Sequence, residues 1–189
     1  VLPQPVPPSL RAAPKAGRRR VVLGLLAEAA GAAWPATSRA ARSAAWRDIL
    51  GQLSGVEDGR GGTRVVVFFD LRCPACAVLY RRSRAAVGAG RLFLRWVPVA
   101  ILGPSSLLRG ARWLAQGDAR DVLARAFAGL PAQPADAARV AAMLPLVQRN
   151  TATLQRIAPG RLATPTLVVE GRDGRLRLQF GLSEDAGPR

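Results

Sequence analysis

Histidine is absent from the 189 residues. Its absence removes Ser-His-Asp and Cys-His catalysis and leaves a zinc site without imidazole ligands. Cysteine occurs only twice, at Cys73 and Cys76, which excludes a disulfide-stapled scaffold. Two cysteines without histidine form a metal site only between two chains, so no metal and no bound cofactor is assigned. Acidic residues are scarce, 12 against 28 basic, giving a net charge of +16 and a pI near 11.8. Such a balance raises nucleic acid or an anionic surface as a partner. Yet aromatics are only 5%, no stacking or helix-turn-helix pattern is present, and the arginines are spread through every segment, with Lys15 the sole lysine. The charge is therefore read as an aid to solubility and encounter, with no specific nucleic-acid recognition. No apolar run is long enough to span a membrane, and there is no internal repeat. What the chain has in quantity is apolar surface: 49% of its residues are hydrophobic, ample for one core.

The pattern divides the chain into three parts. Residues 1–36 read as a proline-rich disordered tail followed by an export-like signal. In the latter, Arg18-Arg19-Arg20 precede the short apolar stretch from Val21 to Ala27, with small residues at Ala30-Gly31-Ala32. The adjacent arginines also fit a twin-arginine signal. An amphipathic helix of a cytoplasmic protein is the other reading. Residues 37–62 read as a linker helix, capped by Ser38 and apolar at Trp46, Ile49, Leu50 and Leu53, then a glycine-rich loop. Residues 63–189 read as an α/β domain. Arg64 to Asp70 is continuously apolar, which predicts a central strand buried on both faces. A helix opens at Cys73 and ends near Gly88. Leu92 to Ile101 is a second strand, in which Pro98 marks an edge, a bulge or the end. A helical insert follows over about 105–158, with Ser105 and Asp118 as caps and Pro131, Pro134 and Pro145 dividing or bending it. Asp173-Gly174 between two apolar runs predicts a closing hairpin.

The chemistry gathers at Cys73-Pro74-Ala75-Cys76. A strand leading into a Cys-x-x-Cys that opens a helix is the arrangement of a thioredoxin-like redox site. Cys73 falls at the N-cap, with Pro74 at the first helical position, where a missing N–H costs nothing. The N–H groups of Ala75 and Cys76, together with the helix dipole, are expected to face the Cys73 sulfur, and Arg72 adds a neighbouring positive charge. Cys76 lies one turn in and faces the core. The asymmetry makes Cys73 the exposed attacking sulfur and Cys76 the buried resolving one, a redox-active dithiol/disulfide pair. Asp70 has two readings, a turn or capping residue and a proton acceptor for Cys76. For Pro165, local statistics alone favour a trans bond.

Three segments carry a family resemblance. Phe68 to Cys76 resembles the active-site segment of periplasmic thiol:disulfide interchange proteins of the DsbC/DsbG type. Arg91 to Val99 resembles their following strand, and Thr164-Pro165-Thr166 their Thr–cis-Pro loop. The resemblance implies a thioredoxin-like sheet with an inserted helical subdomain, a periplasmic location, and thiol:disulfide oxidoreductase activity on cysteine-containing proteins, reset by a redox partner. By position it makes Cys73 the nucleophile, Cys76 the resolving cysteine, Pro165 a cis-proline and Thr164 a backbone contact for extended substrate. The family's N-terminal dimerisation domain and final helix have no counterpart here. A monomer or weak dimer with poor isomerase activity is accordingly expected. Against this stands a redox-inactive thioredoxin-like module that recruits a protein or nucleic acid.

Overall fold

The run Val65 to Phe69 has apolar side chains in both alternating sets, so a strand made from it must bury both faces. It does. The computed structural model describes residues 39–182 apart from 118, 132 and 172, with 39–43 and 119–120 described in backbone only. The tail and export-like segment, together with the expected caps Ser38 and Asp118, lie outside the described residues. The elements run α1 (Arg39–Gly51), β1 (Val56–Asp58), β2 (Thr63–Phe69), α2 (Pro74–Gly88), β3 (Leu92–Pro98), α3 (Ser105–Leu114), α4 (Ala119–Phe127), α5 (Ala137–Ile157), β4 (Thr166–Glu170) and β5 (Leu176–Phe180).

The strands form one sheet in the order β1-β3-β2-β4-β5, so β2 is central. It runs parallel to β3, with Phe69 opposite Pro98, and antiparallel to β4, with Phe68 opposite Thr166. On one face, Val65, Val67 and Phe69 join Cys76, Trp96, Trp113 and Leu123 in a core covered by α2 and α4. On the other, Phe68, Val97 and Val168 pack with Leu50, Leu53 and Leu154 of the α1 and α5 region. Phe69 meets Trp96 and Trp113 edge-on, with ring centroids 5.5 and 5.1 Å apart. Fully burying such side chains contributes about 1.5–3 kcal/mol each. This aromatic floor lies directly behind the cysteines and fixes the start of α2.

Four local expectations change. Val56–Asp58, read as loop, is an edge strand antiparallel to β3. Three residues with one apolar side chain give too little pattern to recognise; the ladder to Leu94, Arg95 and Trp96 supplies the stability. The helix expected as a linker packs on the sheet through Leu50, and Arg95 closes its end by donating to the carbonyls of Leu50, Gly51 and Leu53. Pro145 lies inside α5 without dividing it. It is exposed, so the carbonyl it leaves unpaired reaches water, while Val147, Asn150, Thr153 and Leu154 anchor the following turns. Ser105 is the first helical residue rather than the cap, and Pro104 precedes it at the cap position. Pro98 ends β3, and the hairpin turns through Gly171–Gly174, with Gly174 at φ +69°.

Candidate active site

Phe69 ends β2, the central strand, and the chain turns through Asp70 and Leu71 into α2. The Cys73 N–H donates to the Asp70 carbonyl at 2.9 Å, and the Cys76 N–H to the Cys73 carbonyl at 3.1 Å. Cys73 is the N-cap, with extended φ/ψ of −88° and 111°, and Pro74 follows in the first turn. Both cysteines are free thiols. Cys76 is wholly buried; Cys73 retains 8% of its surface. Cys73 is thus less exposed than the sequence suggests, because a second loop covers it.

That loop is Ala163-Thr164-Pro165-Thr166. Its Thr164–Pro165 bond is cis, as the resemblance implies and against the local statistics. The Cys73 thiol donates to the Thr164 carbonyl at 3.1 Å. Here the structure departs from the expected cap: the Cys73 sulfur accepts no capping hydrogen bond from the backbone N–H groups of α2. A partner 91 residues away in the chain could not be read from the helix start. The Cys76 thiol is pushed far up from its ordinary 9.0, first by burial and then by the hydrogen bond and charge of Cys73 beside it. Thr164 works weakly the other way. Its hydroxyl is buried without a partner at hydrogen-bond geometry, yet lies near enough to Cys76 to ease its ionisation.

Asp70 is fully buried, and its carboxylate is committed away from the thiols. Oδ1 accepts from the Arg72 N–H at 2.9 Å and the Ser106 hydroxyl at 3.1 Å; Oδ2 accepts from the Ile101 and Leu102 N–H groups, each at 3.0 Å. With these four donors in place, the carboxylate ties the β3–α3 connection to the end of β2. These bonds fit the turn or capping reading of Asp70, in the form of a latch between two loops. Arg72 also points elsewhere: its Nη1 donates to the Leu102 carbonyl at 3.1 Å. The guanidinium rests on Gly103, at φ +140°, where a Cβ would stand 2.5 Å from that Nη1. Arg72 thus braces the loop rather than facing the sulfur. Ser106 was missed in the sequence; a serine in the first turn after Gly103-Pro104 was the available signal.

No group of three or more metal-ligating side chains occurs among the described residues. No helix among them is long and apolar enough to cross a membrane.

The architecture is thioredoxin-like, with two thiols at the start of α2 and a cis-proline loop against them. The chain is similar to thiol:disulfide interchange proteins of the Dsb type. It is 29% identical over 154 residues to the thiol:disulfide interchange protein DsbG of Pseudomonas aeruginosa, a match covering 73% of this chain and 57% of that protein. The chain thus spans little more than half the length of that relative. Among solved structures, the thiol-disulfide exchange protein alpha-DsbA2 of Wolbachia pipientis superposes with a TM-score of 0.59 at 16% identity, over 77% of this chain and 89% of that one. The catalytic domain of Proteus mirabilis ScsC gives 0.56 at 20% identity, over 76% and 90%. No family model matches the sequence.

Proposed function

We propose that the protein is a thiol:disulfide oxidoreductase that exchanges disulfides with protein cysteines through Cys73-Pro74-Ala75-Cys76. The observation that carries the reading is the asymmetry of the pair. Cys73 keeps 8% of its surface beside the Thr164–Pro165 loop, whereas Cys76 is wholly buried with a raised pKa. The Cys73 thiolate attacks one sulfur of a substrate disulfide, forming a Cys73–substrate bond while the other substrate sulfur leaves and takes a proton. Cys76 then gives up its proton and attacks Cys73, forming the Cys73–Cys76 disulfide and releasing the second substrate thiol. Two electrons pass to the substrate. Run backward, the pair oxidises a dithiol, and a separate redox partner resets it.

Thr164 and Pro165 form the surface along which an extended substrate segment lies, as an added strand would. No cofactor enters, because the dithiol itself carries the electrons. Asp70 and Arg72 act by fixing the loops around the pair. Export to the periplasm belongs to the same reading; it is supported by the basic and apolar pattern at residues 18–32 and by the oxidising setting in which such pairs exchange.

The test is equilibration of the protein with glutathione buffers while the Cys73–Cys76 disulfide is quantified. A reversible intramolecular disulfide is expected. A potential near about −120 mV marks an oxidant, and one near about −270 mV a reductant. Failure to form that disulfide overturns the reading in favour of a redox-inactive binding module.

A further inference from the structure

Leu71, in the turn that leads into α2, helps line a groove of about 450 Å³ that runs between α3 and α4. Leu71 is two residues from Cys73. Trp113 and Leu130, the latter 49% exposed, line the same groove, with Arg109, Arg112 and Arg125 among the polar lining. Among the described residues, neither aspartate nor glutamate lines the groove. Among the described residues, no ion pair engages these three arginines. Arg125 is held in place by donating from Nη2 to the Pro131 carbonyl at 3.4 Å, yet its Nε is buried with no acceptor. A buried N–H without a partner costs free energy, and a ligand oxygen would remove that cost.

Building on the proposed exchange activity, we propose that this groove binds an acidic and apolar peptide segment of the substrate protein and so presents the neighbouring substrate cysteine to Cys73. Apolar side chains of the segment fill the space between Leu71, Trp113 and Leu130. Its carboxylates meet Arg109 and Arg112 at the rim and satisfy Arg125 within. The volume falls in the range of ligand sites built from apolar walls and a few convergent polar groups. Charge complementarity sets the partner: a basic segment is repelled, and a neutral one leaves Arg125 unpaired. Binding there turns attack by Cys73 into an intramolecular step, raising the local concentration of the substrate sulfur.

Two arms test the proposal separately from the activity on which it rests. The first uses fluorescein-labelled short peptides bearing Glu-Glu-Leu-Phe or Gln-Gln-Leu-Phe before a serine in place of cysteine, with binding read by anisotropy. The acidic peptide should bind more tightly, and Arg109→Gln/Arg112→Gln should weaken it roughly five- to tenfold, with further loss as salt rises. Equal binding of both peptides, or binding unchanged in the double variant, overturns the groove while leaving dithiol exchange intact. In the second arm the cysteine-containing peptides carry a 4-thiopyridyl mixed disulfide. Cys73 takes the peptide sulfur, and thiopyridone leaves and is measured by absorbance. Rates are normalised to the reaction with 4,4′-dithiodipyridine, a small uncharged disulfide. A normalised preference for the acidic peptide that disappears in the double variant is expected. Tight acidic-peptide binding with no such preference overturns the presentation role. No reaction with either disulfide contradicts the exchange reading itself, and with it the presentation of substrate to Cys73.

Discussion

The Cys73 sulfur lies 3.1 Å from the carbonyl oxygen of Thr164, a residue 91 positions later in the chain. The start of α2 and the loop before β4 thus meet across the end of the sheet. One contributes the Cys73 thiol, and the other the cis-proline turn that covers it. The antiparallel pairing of β2 with β4, with Phe68 opposite Thr166, sets this approach. Anything that shifts that register moves the loop off the thiol.

The raised pKa of Cys76 makes reduced protein less stable at high pH. Its folded value lies above the ordinary 9.0, so the folded state holds a proton that the unfolded state gives up once pH passes about 9. The associated stability is fully present below that pH and falls above it, by at most about 1.4 kcal/mol per pH unit. Urea unfolding in excess reductant at pH 7, 8, 9 and 10 measures it. The slope above pH 9 should be smaller in Cys76→Ser by the amount Cys76 contributes.

Asp70→Asn should destabilise the fold by roughly 2–4 kcal/mol, because an amide group replaces an acceptor for buried backbone donors. The Ile101 and Leu102 N–H groups are those at risk. If Asp70 is a latch, the pH dependence of Cys76 attack on a Cys73 mixed disulfide keeps its midpoint in the variant. A displaced midpoint at unchanged stability would favour Asp70 as a proton acceptor. Stopped-flow release of the substrate thiol against pH measures this.

Asp58 accepts from both terminal nitrogens of Arg84 and from Trp96 Nε1 at 3.1 Å, while the Arg84 guanidinium sits 4.0 Å above the Tyr80 ring. Asp58→Ala leaves the partly exposed Arg84 and the buried Trp96 Nε1 without their acceptor and should cost about 1–3 kcal/mol. Adding Arg84→Met should recover much of that loss. Denaturant midpoints of the single and double variants provide the check.

Duplex DNA should bind weakly, and the affinity should fall steeply between 50 and 200 mM salt, about as expected for dispersed phosphate contacts. Tight, sequence-dependent binding near physiological salt would contradict the encounter role given to the arginines. An anisotropy titration across that salt range decides it.

Much of this site is legible in the sequence because its signals are local. The apolar run of β2, the Cys-x-x-Cys at a helix start, the proline in the first turn and the Asp-Gly turn each act within a few residues. Other features depend on groups that meet only after folding. Asp70 finds three of its four donors 31 to 36 residues away, in Ile101, Leu102 and Ser106. Arg72 looks like a charge beside a sulfur in the linear chain, yet its side chain turns to the Leu102 carbonyl. Asp58 sits in a glycine-rich stretch that reads as loop; only the ladder with β3 and the partners on α2 reveal why an acidic residue is buried there. The cis bond at Pro165 has no local signature and entered only through family resemblance.

The most direct test of the central claim is trapping of mixed disulfides between the reduced single-cysteine variants and a disulfide-containing protein substrate, read on non-reducing gels. Cys76→Ser should accumulate a covalent complex through Cys73, because nothing remains to resolve it. Cys73→Ser should form none, since its only remaining thiol is buried and holds its proton tightly. Equal trapping by the two variants, or a complex only in Cys73→Ser, would contradict the assignment of attacking and resolving sulfurs.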